Sequence, residues 1–137
     1  MRRIAMAVGI LLIGAAVLLA RDKSTSFRFT NEEVGQVPAG WTADKTGKGA
    51  GSIWKVVADN TAPPKSGFAL AQSADSASTM FNLCVSLDSK FKDGEIFVAF
   101  KANRGNNNKG SVIVWRYQDA NNYYVARMNP LEDNYRV

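Results

Sequence analysis

Two runs of β-branched and aromatic residues, 111–118 and 123–128, flank the polar tetrapeptide Asp119-Ala120-Asn121-Asn122. Valine, isoleucine, tyrosine and tryptophan suit a pleated, half-buried surface, and Asp and Asn suit a tight turn. The stretch therefore predicts a β-hairpin over 111–128. With 119–122 as the loop, Gln118 stands opposite Tyr123. Counting back by twos places Ile113, Trp115, Tyr117, Tyr124, Ala126 and Met128 on one face, which is apolar throughout. Val112, Val114, Arg116, Gln118, Tyr123, Val125 and Arg127 fall on the other, mixed face. A loop one residue longer would put Trp115 and Arg127 on the same side and leave no apolar face, so the pattern selects the 119–122 loop. The expected hairpin has a core side, with Trp115 and Tyr124 buried, and a polar side open to a ligand.

The rest of the chain reads in the same idiom. Residues 26–30 alternate as a short first strand, and 53–58, 67–72 and 78–87 follow, the last as one long strand or two short ones broken near Asn82. Residues 95–101 are apolar on both parities, which predicts a central strand covered on both faces. Between them, 31–40 (with the turn Val37-Pro38-Ala39-Gly40 before Trp41), 45–52, 59–66 around Pro63-Pro64, 73–77, 88–94 and 103–110 read as loops. Phe91 is expected to tuck from the 88–94 connection into the core. Residues 128–133 read as a turn and 134–137 as the start of another strand. No stretch after residue 23 sustains a helical apolar period. The predicted class is all-β, an antiparallel β-sandwich or jelly roll. Because the chain stops inside a strand-like run, the pattern predicts an incomplete sandwich, truncated at its C-terminal end or completed by another chain. The segments 27–30 and 134–137 should then be poorly covered.

The N-terminus is of a different kind. Met1-Arg2-Arg3 leads into an uncharged apolar run, 4–20, which is followed by Arg21-Asp22-Lys23. This pattern predicts a secretory signal peptide, or, if uncleaved, a signal-anchor helix. Either places the folded part outside the cytoplasm, secreted or periplasmic, with a membrane contact only through residues 4–20 when they are retained. No Cys follows the run, which disfavours a lipoprotein. The expected organisation is 1–20 signal or anchor, 21–26 polar leader, and 27–137 the N-terminal part of a sandwich domain. Loss of residues 1–20 removes Arg2 and Arg3 and no acid, so the net charge falls from +5 to +3. Its basic residues are scattered, and nucleic acid is excluded as an expected partner. The lone Cys84 sits in a strand-like run and is read as a buried thiol.

Several segments in fixed order carry a resemblance: Phe27-Arg28-Phe29, the Pro38–Trp41 turn, Ile53-Trp54-Lys55-Val56, Lys90-Phe91-Lys92-Asp93-Gly94, and above all residues 114–127. Together they resemble secreted bacterial proteins with the concanavalin A-like lectin/glucanase jelly roll, close to laminin-G-like and three-keto-disaccharide hydrolase-like domains. The resemblance spans roughly 27–137 and implies several further strands beyond the position of Val137. Its functional implication is association with a carbohydrate or glycoside.

The candidate chemistry is narrow. The chain has no His, which removes Ser-His-Asp and Cys-His arrangements and every His metal site. Glycosidases of the resembled fold carry an acidic triplet at i, i+2 and i+5, and no Glu-x-Asp-x-x-Glu run occurs. The adjacent acids Glu32-Glu33 and Glu132-Asp133 sit in expected loops, where a solvated role is the default. Asp119, Asn121, Asn122, Asp133 and Asn134 carry oxygens suited to calcium, but a tight turn selects the same residues more cheaply. No catalytic residue, metal ligand or cofactor is assigned. The ligand candidates are Arg116, Gln118, Tyr123 and Arg127 on the mixed hairpin face, a ring for a pyranose beside forked donors for its hydroxyls or carboxylate. The plainer alternative lays the arginine stems over the sheet and pairs them with acids. Trp41, Trp54, Trp115 and Tyr117 are assigned to the core. The expected function is a secreted, non-catalytic, glycan-binding module, with a glycoside hydrolase-like enzyme as alternative and a structural envelope protein as a third reading.

Overall fold

The computed structural model describes residues 24–63, 65–103 and 109–137. The apolar segment 4–20, with its reading as a signal or anchor, lies outside the described residues, as do positions 21–23 of the leader and 104–108 of the long polar loop. No helix among the described residues is long and apolar enough to cross a membrane.

Seven strands form among the described residues: β1 (Trp41–Thr46), β2 (Trp54–Ala58), β3 (Phe68–Gln72), β4 (Phe81–Ser86), β5 (Ser111–Asp119), β6 (Asn122–Asn129) and β7 (Asn134–Arg136). One 3₁₀ turn, Asn31–Glu33, precedes them. The ladders β1–β4, β2–β3, β5–β6 and β6–β7 are all antiparallel. The protein is thus all-β and built of small antiparallel sheets, consistent with a β-sandwich.

Burial is deepest in the middle of β2 and of β4. Val56, in the middle of β2, pairs with Leu70 of β3 on one side. On the other side it forms an isolated parallel bridge to Val34, its N–H donating to the Gln36 carbonyl and its own carbonyl accepting from Gly35, both at 2.9 Å. With both edges and its side chain covered, Val56 is fully buried. Leu83 in β4, opposite Asp44 of β1, is the other deeply buried aliphatic residue, and Met80 and Ala62 complete the buried apolar set among the described residues.

The β2, β3, β4 and hairpin positions agree with the alternation in the sequence. Elsewhere the structure corrects the pattern. Trp41–Thr46 is a strand, not the exit of a turn followed by a loop; Gly40, at φ 75°, reverses the chain so that the Trp41 N–H reaches the Pro38 carbonyl at 3.1 Å. Residues 26–30 join no ladder. Their alternation is expressed instead in Phe27 and Phe29, whose rings both pack edge-on to Trp41, at 5.1 and 6.1 Å.

The largest departure is 95–101, expected as a central strand. It joins no ladder and every residue in it is exposed, Phe97 to 86 %. A central strand needs a partner on each edge and a layer on each face, and no described strand lies alongside this one. Its far end is tethered: Lys101 Nζ donates to Asp59 Oδ2 at 2.6 Å and to Thr61 Oγ1 at 2.7 Å. The Lys101 hydrogen bond, with two more from Thr61, holds the Asp59 carboxyl down to about 2. Phe91 is likewise exposed and not tucked into the core.

Cys84 is a free thiol in β4, opposite Ala43, and partial burial pushes it up to about 11. Against the ordinary 9.0, this leaves roughly a hundredth of the usual thiolate at neutral pH. The expected result is labelling by a disulfide reagent at pH 7.5 on the order of a hundredfold slower than for an unhindered thiol, with the difference erased in denaturant. A native rate equal to that of free cysteine would show that the thiol is not desolvated.

Candidate functional site

The β5–β6 hairpin closes more tightly than its loop composition suggests. Asp119 pairs with Asn122, leaving a two-residue turn, Ala120-Asn121. Asp119 Oδ1 accepts from the Asn121 N–H at 2.8 Å, and its two carboxylate oxygens accept from Asn122 Nδ2 at 2.9 and 2.8 Å. The acidic and amide groups of the turn are thus occupied by turn chemistry, which also lowers the Asp119 pKa, first through the Asn121 N–H and then through Asn122. This turn keeps the expected register, because the ladder only runs one pair further.

The register changes further back. Ser111 to Trp115 pair so that Trp115 faces Tyr124, and a β-bulge between Trp115 and Asp119 inserts extra residues on β5. Arg116, at the start of the bulge, has φ 51°, a left-handed backbone rare outside glycine. In a regular strand Trp115 and Tyr117 would share a face. Here they part: Trp115 stacks on Tyr124 (5.9 Å between rings, 24° between planes), whereas Tyr117 stacks on Tyr123 (6.3 Å, 28°). Tyr123 and Tyr124 are neighbours in β6 and point to opposite faces, so the bulge has turned Tyr117 over.

The Tyr117–Tyr123 side is tied to β1. Tyr117 Oη donates to Asp44 Oδ2 at 2.5 Å. Thr46 gives its one hydroxyl proton to the Ala120 carbonyl, so Tyr123 Oη is the donor in its 2.7 Å bond to Thr46 Oγ1. Asp44, first by accepting this hydrogen bond, pushes the Tyr117 phenol up to about 12. A phenol raised in the folded state contributes stability that is complete below pH 10 and lost as the pH rises through about 12. Spectrophotometric titration is therefore expected to show a late tyrosine step near 12 that moves back towards 10 in Asp44→Asn. Coincident titration of all phenols near 10 would contradict the Tyr117–Asp44 bond.

The opposite side is open. Tyr124 is 56 % exposed and Met128 41 %, and Trp115 is half-buried. The Arg116 guanidinium lies over the Tyr124 ring, 5.7 Å from its centre. Met128 pairs with Tyr135 of β7, which is 65 % exposed, and the two line a shallow hollow with Pro130. The side expected to be the core is thus an exposed aromatic face, and the burial expected for Tyr124 is not found.

The residues expected to form one ligand set are divided. Arg116 sits on the open aromatic face, over Tyr124. Tyr123 is engaged with Thr46 and Tyr117 on the opposite face. Arg127, on the Tyr123 side opposite Val112, donates through Nη2 to Glu132 Oε1 at 3.1 Å. Gln118 is exposed within the bulged segment that leads to the turn. Trp115, Tyr124 and Tyr135 enter the candidate site in their place. The only signal that could have found them was the aromatic pair itself, since nothing in the residue types marks the bulge. The two acidic pairs are also in local use. Glu33 Oε2 accepts from the Thr30 N–H at 2.8 Å, and Glu132 accepts from Asn134 Nδ2 at 3.0 Å and from Arg127, which together lower its pKa. Among the described residues no cluster of three or more acidic or thiol groups is placed to hold a metal ion.

What the open face offers chemically is a flat pair of rings, one well exposed, with a forked cation at its edge. Comparison of the chain with protein-family models, with curated proteins and with solved structures found no match.

Proposed function

We propose that the chain is a secreted, carbohydrate-associated module of the concanavalin A-like jelly-roll type, which binds glycan without cleaving it on the open face of the β5–β6–β7 sheet. The observation that carries this reading is the stacked Trp115–Tyr124 pair with Arg116 over its exposed ring. A pyranose presents an apolar C–H face that stacks on an aromatic ring, and its hydroxyls or carboxylate take the forked donors of a guanidinium. An all-β architecture and the resemblance over 27–137 support the jelly-roll assignment. The hydrolase reading has no comparable observation, since Glu33 and Glu132 are engaged in local hydrogen bonds.

A glycan array probed with the full-length chain tests it. The expected outcome is binding to a subset of saccharides, at least about tenfold weaker in Tyr124→Ala, with unchanged circular dichroism because Tyr124 is exposed. Absence of binding to any saccharide would overturn the proposal, and release of reducing sugar from a bound glycan would overturn its non-catalytic part.

A further inference from the structure

The geometry points to a ligand class for this face: an extended, carboxylate-bearing polysaccharide that lies along β6 and contacts two aromatic stations. This inference rests on the glycan-binding reading above and goes on to its substrate. The first station is Trp115 and Tyr124, the second Tyr135. Tyr135 is the cross-strand partner of Met128, and Met128 follows Tyr124 by four positions on β6, so the three side chains share one face of the sheet. Four residues of strand separate the stations by roughly 13 Å. One pyranose ring cannot cover that span, whereas a short run of linked rings can. Both tyrosines are more than half exposed, and Ala126 and Met128 on β6 give the path between them an apolar floor.

The charge at the first station is one-signed, whereas Asp133 lines the hollow beside the second. Arg116 stands over Tyr124 with no carboxylate within salt-bridge distance, the ion pairs among the described residues being Lys101–Asp59 and Arg127–Glu132. Glu132 lies in the β6–β7 turn and is joined to Arg127, whose strand parity turns it to the Tyr123 side. Asp119, the acid nearest to Arg116 in sequence, is held by its own turn. A guanidinium beside an exposed ring therefore complements a sugar carrying a carboxylate, which would stack through its ring and accept a forked pair of hydrogen bonds. A neutral chain would use the rings and meet the guanidinium only through its hydroxyls, without the charge-assisted pair.

Titration calorimetry of the full-length chain with oligogalacturonates of two and six residues, and with neutral β-glucan oligomers of the same lengths, tests both parts. The expected results are a hexamer bound at least about tenfold more tightly than the dimer, and a carboxylated hexamer preferred several-fold over the neutral one, the preference shrinking as salt is raised. Tyr135→Ala should erase the length advantage and leave dimer binding unchanged, and Arg116→Gln should erase the charge preference, weakening the carboxylated oligomer far more than the neutral one. Binding that is independent of length, or unaffected by Tyr135→Ala, overturns the two-station path, and equal binding of neutral and carboxylated chains overturns the ligand class. Either outcome leaves the glycan-binding reading standing, whereas no binding of any oligosaccharide sinks both.

Discussion

Leu83→Ala is expected to lower the unfolding free energy by about 3 kcal/mol, the loss usual for a leucine truncated at a buried site. Leu83 is 2 % exposed in the middle of β4, and its backbone is fixed by the ladder to β1, so the space left by the missing methyl groups cannot be closed by moving the strand. Buried apolar residues are few among the described positions, and a small domain is held by only about 5–15 kcal/mol in all, so one such deletion removes a large share of the total. Leu87, just past the end of the same strand and 53 % exposed, supplies the control. Leu87→Ala should change stability by less than about 0.5 kcal/mol. Urea midpoints of the two variants measure the contrast, and equal shifts would mean that Leu83 is not in a packed interior.

A second large effect is expected at Gly47, where β1 gives way to the loop. Gly47 has φ 94°, and a Cβ added there would lie 2.8 Å from the carbonyl oxygen of Thr79, a backbone atom at the approach to β4. An alanine must therefore adopt a left-handed backbone and also push apart the end of the β1–β4 pair. Left-handed strain alone costs on the order of 1–3 kcal/mol, and the clash adds to it, so Gly47→Ala should destabilise by about 3 kcal/mol. Gly51, in the same loop, meets nothing within 4 Å. Its replacement by alanine should be neutral or slightly stabilising, through the loss of unfolded-state freedom. Thermal melts of the two variants decide the matter; a silent Gly47→Ala would show that the loop relaxes away from Thr79.

Local chemistry explains which parts of this architecture were legible in the sequence. The 111–128 hairpin was readable because its strands and its turn draw on different residue types, and because a two-residue turn and the expected 119–122 loop give the same register. β1 was hidden because its partner, β4, lies far along the chain and its own residues, Thr42, Asp44 and Thr46 among them, do not announce a buried strand. Residues 95–101 show the reverse error. Their apolar pattern expresses a demand for cover on both faces, and pattern alone does not say whether neighbouring strands supply it. The candidate site depended on a feature invisible to parity counting. The bulge at Arg116 slides Trp115 from a place opposite Ala126 to one opposite Tyr124, building the stacked pair, and turns Tyr117 over to bind Asp44. A set of candidates chosen on an unbroken strand was bound to be divided by it.

The central claim is that glycan is held on the Trp115–Tyr124 side of the hairpin and not on the Tyr123 side. The most direct measurement is the pattern of intermolecular nuclear Overhauser effects between sugar protons and tyrosine and tryptophan ring protons in the complex of the full-length chain with a bound oligosaccharide. The account predicts contacts from the sugar to the rings of Tyr124 and Trp115, and none to Tyr117 or Tyr123, whose hydroxyls are bonded to Asp44 and Thr46. Contacts to Tyr123 and Tyr117, with Tyr124 and Trp115 silent, would contradict it and return the ligand to the mixed face that the sequence pattern first suggested.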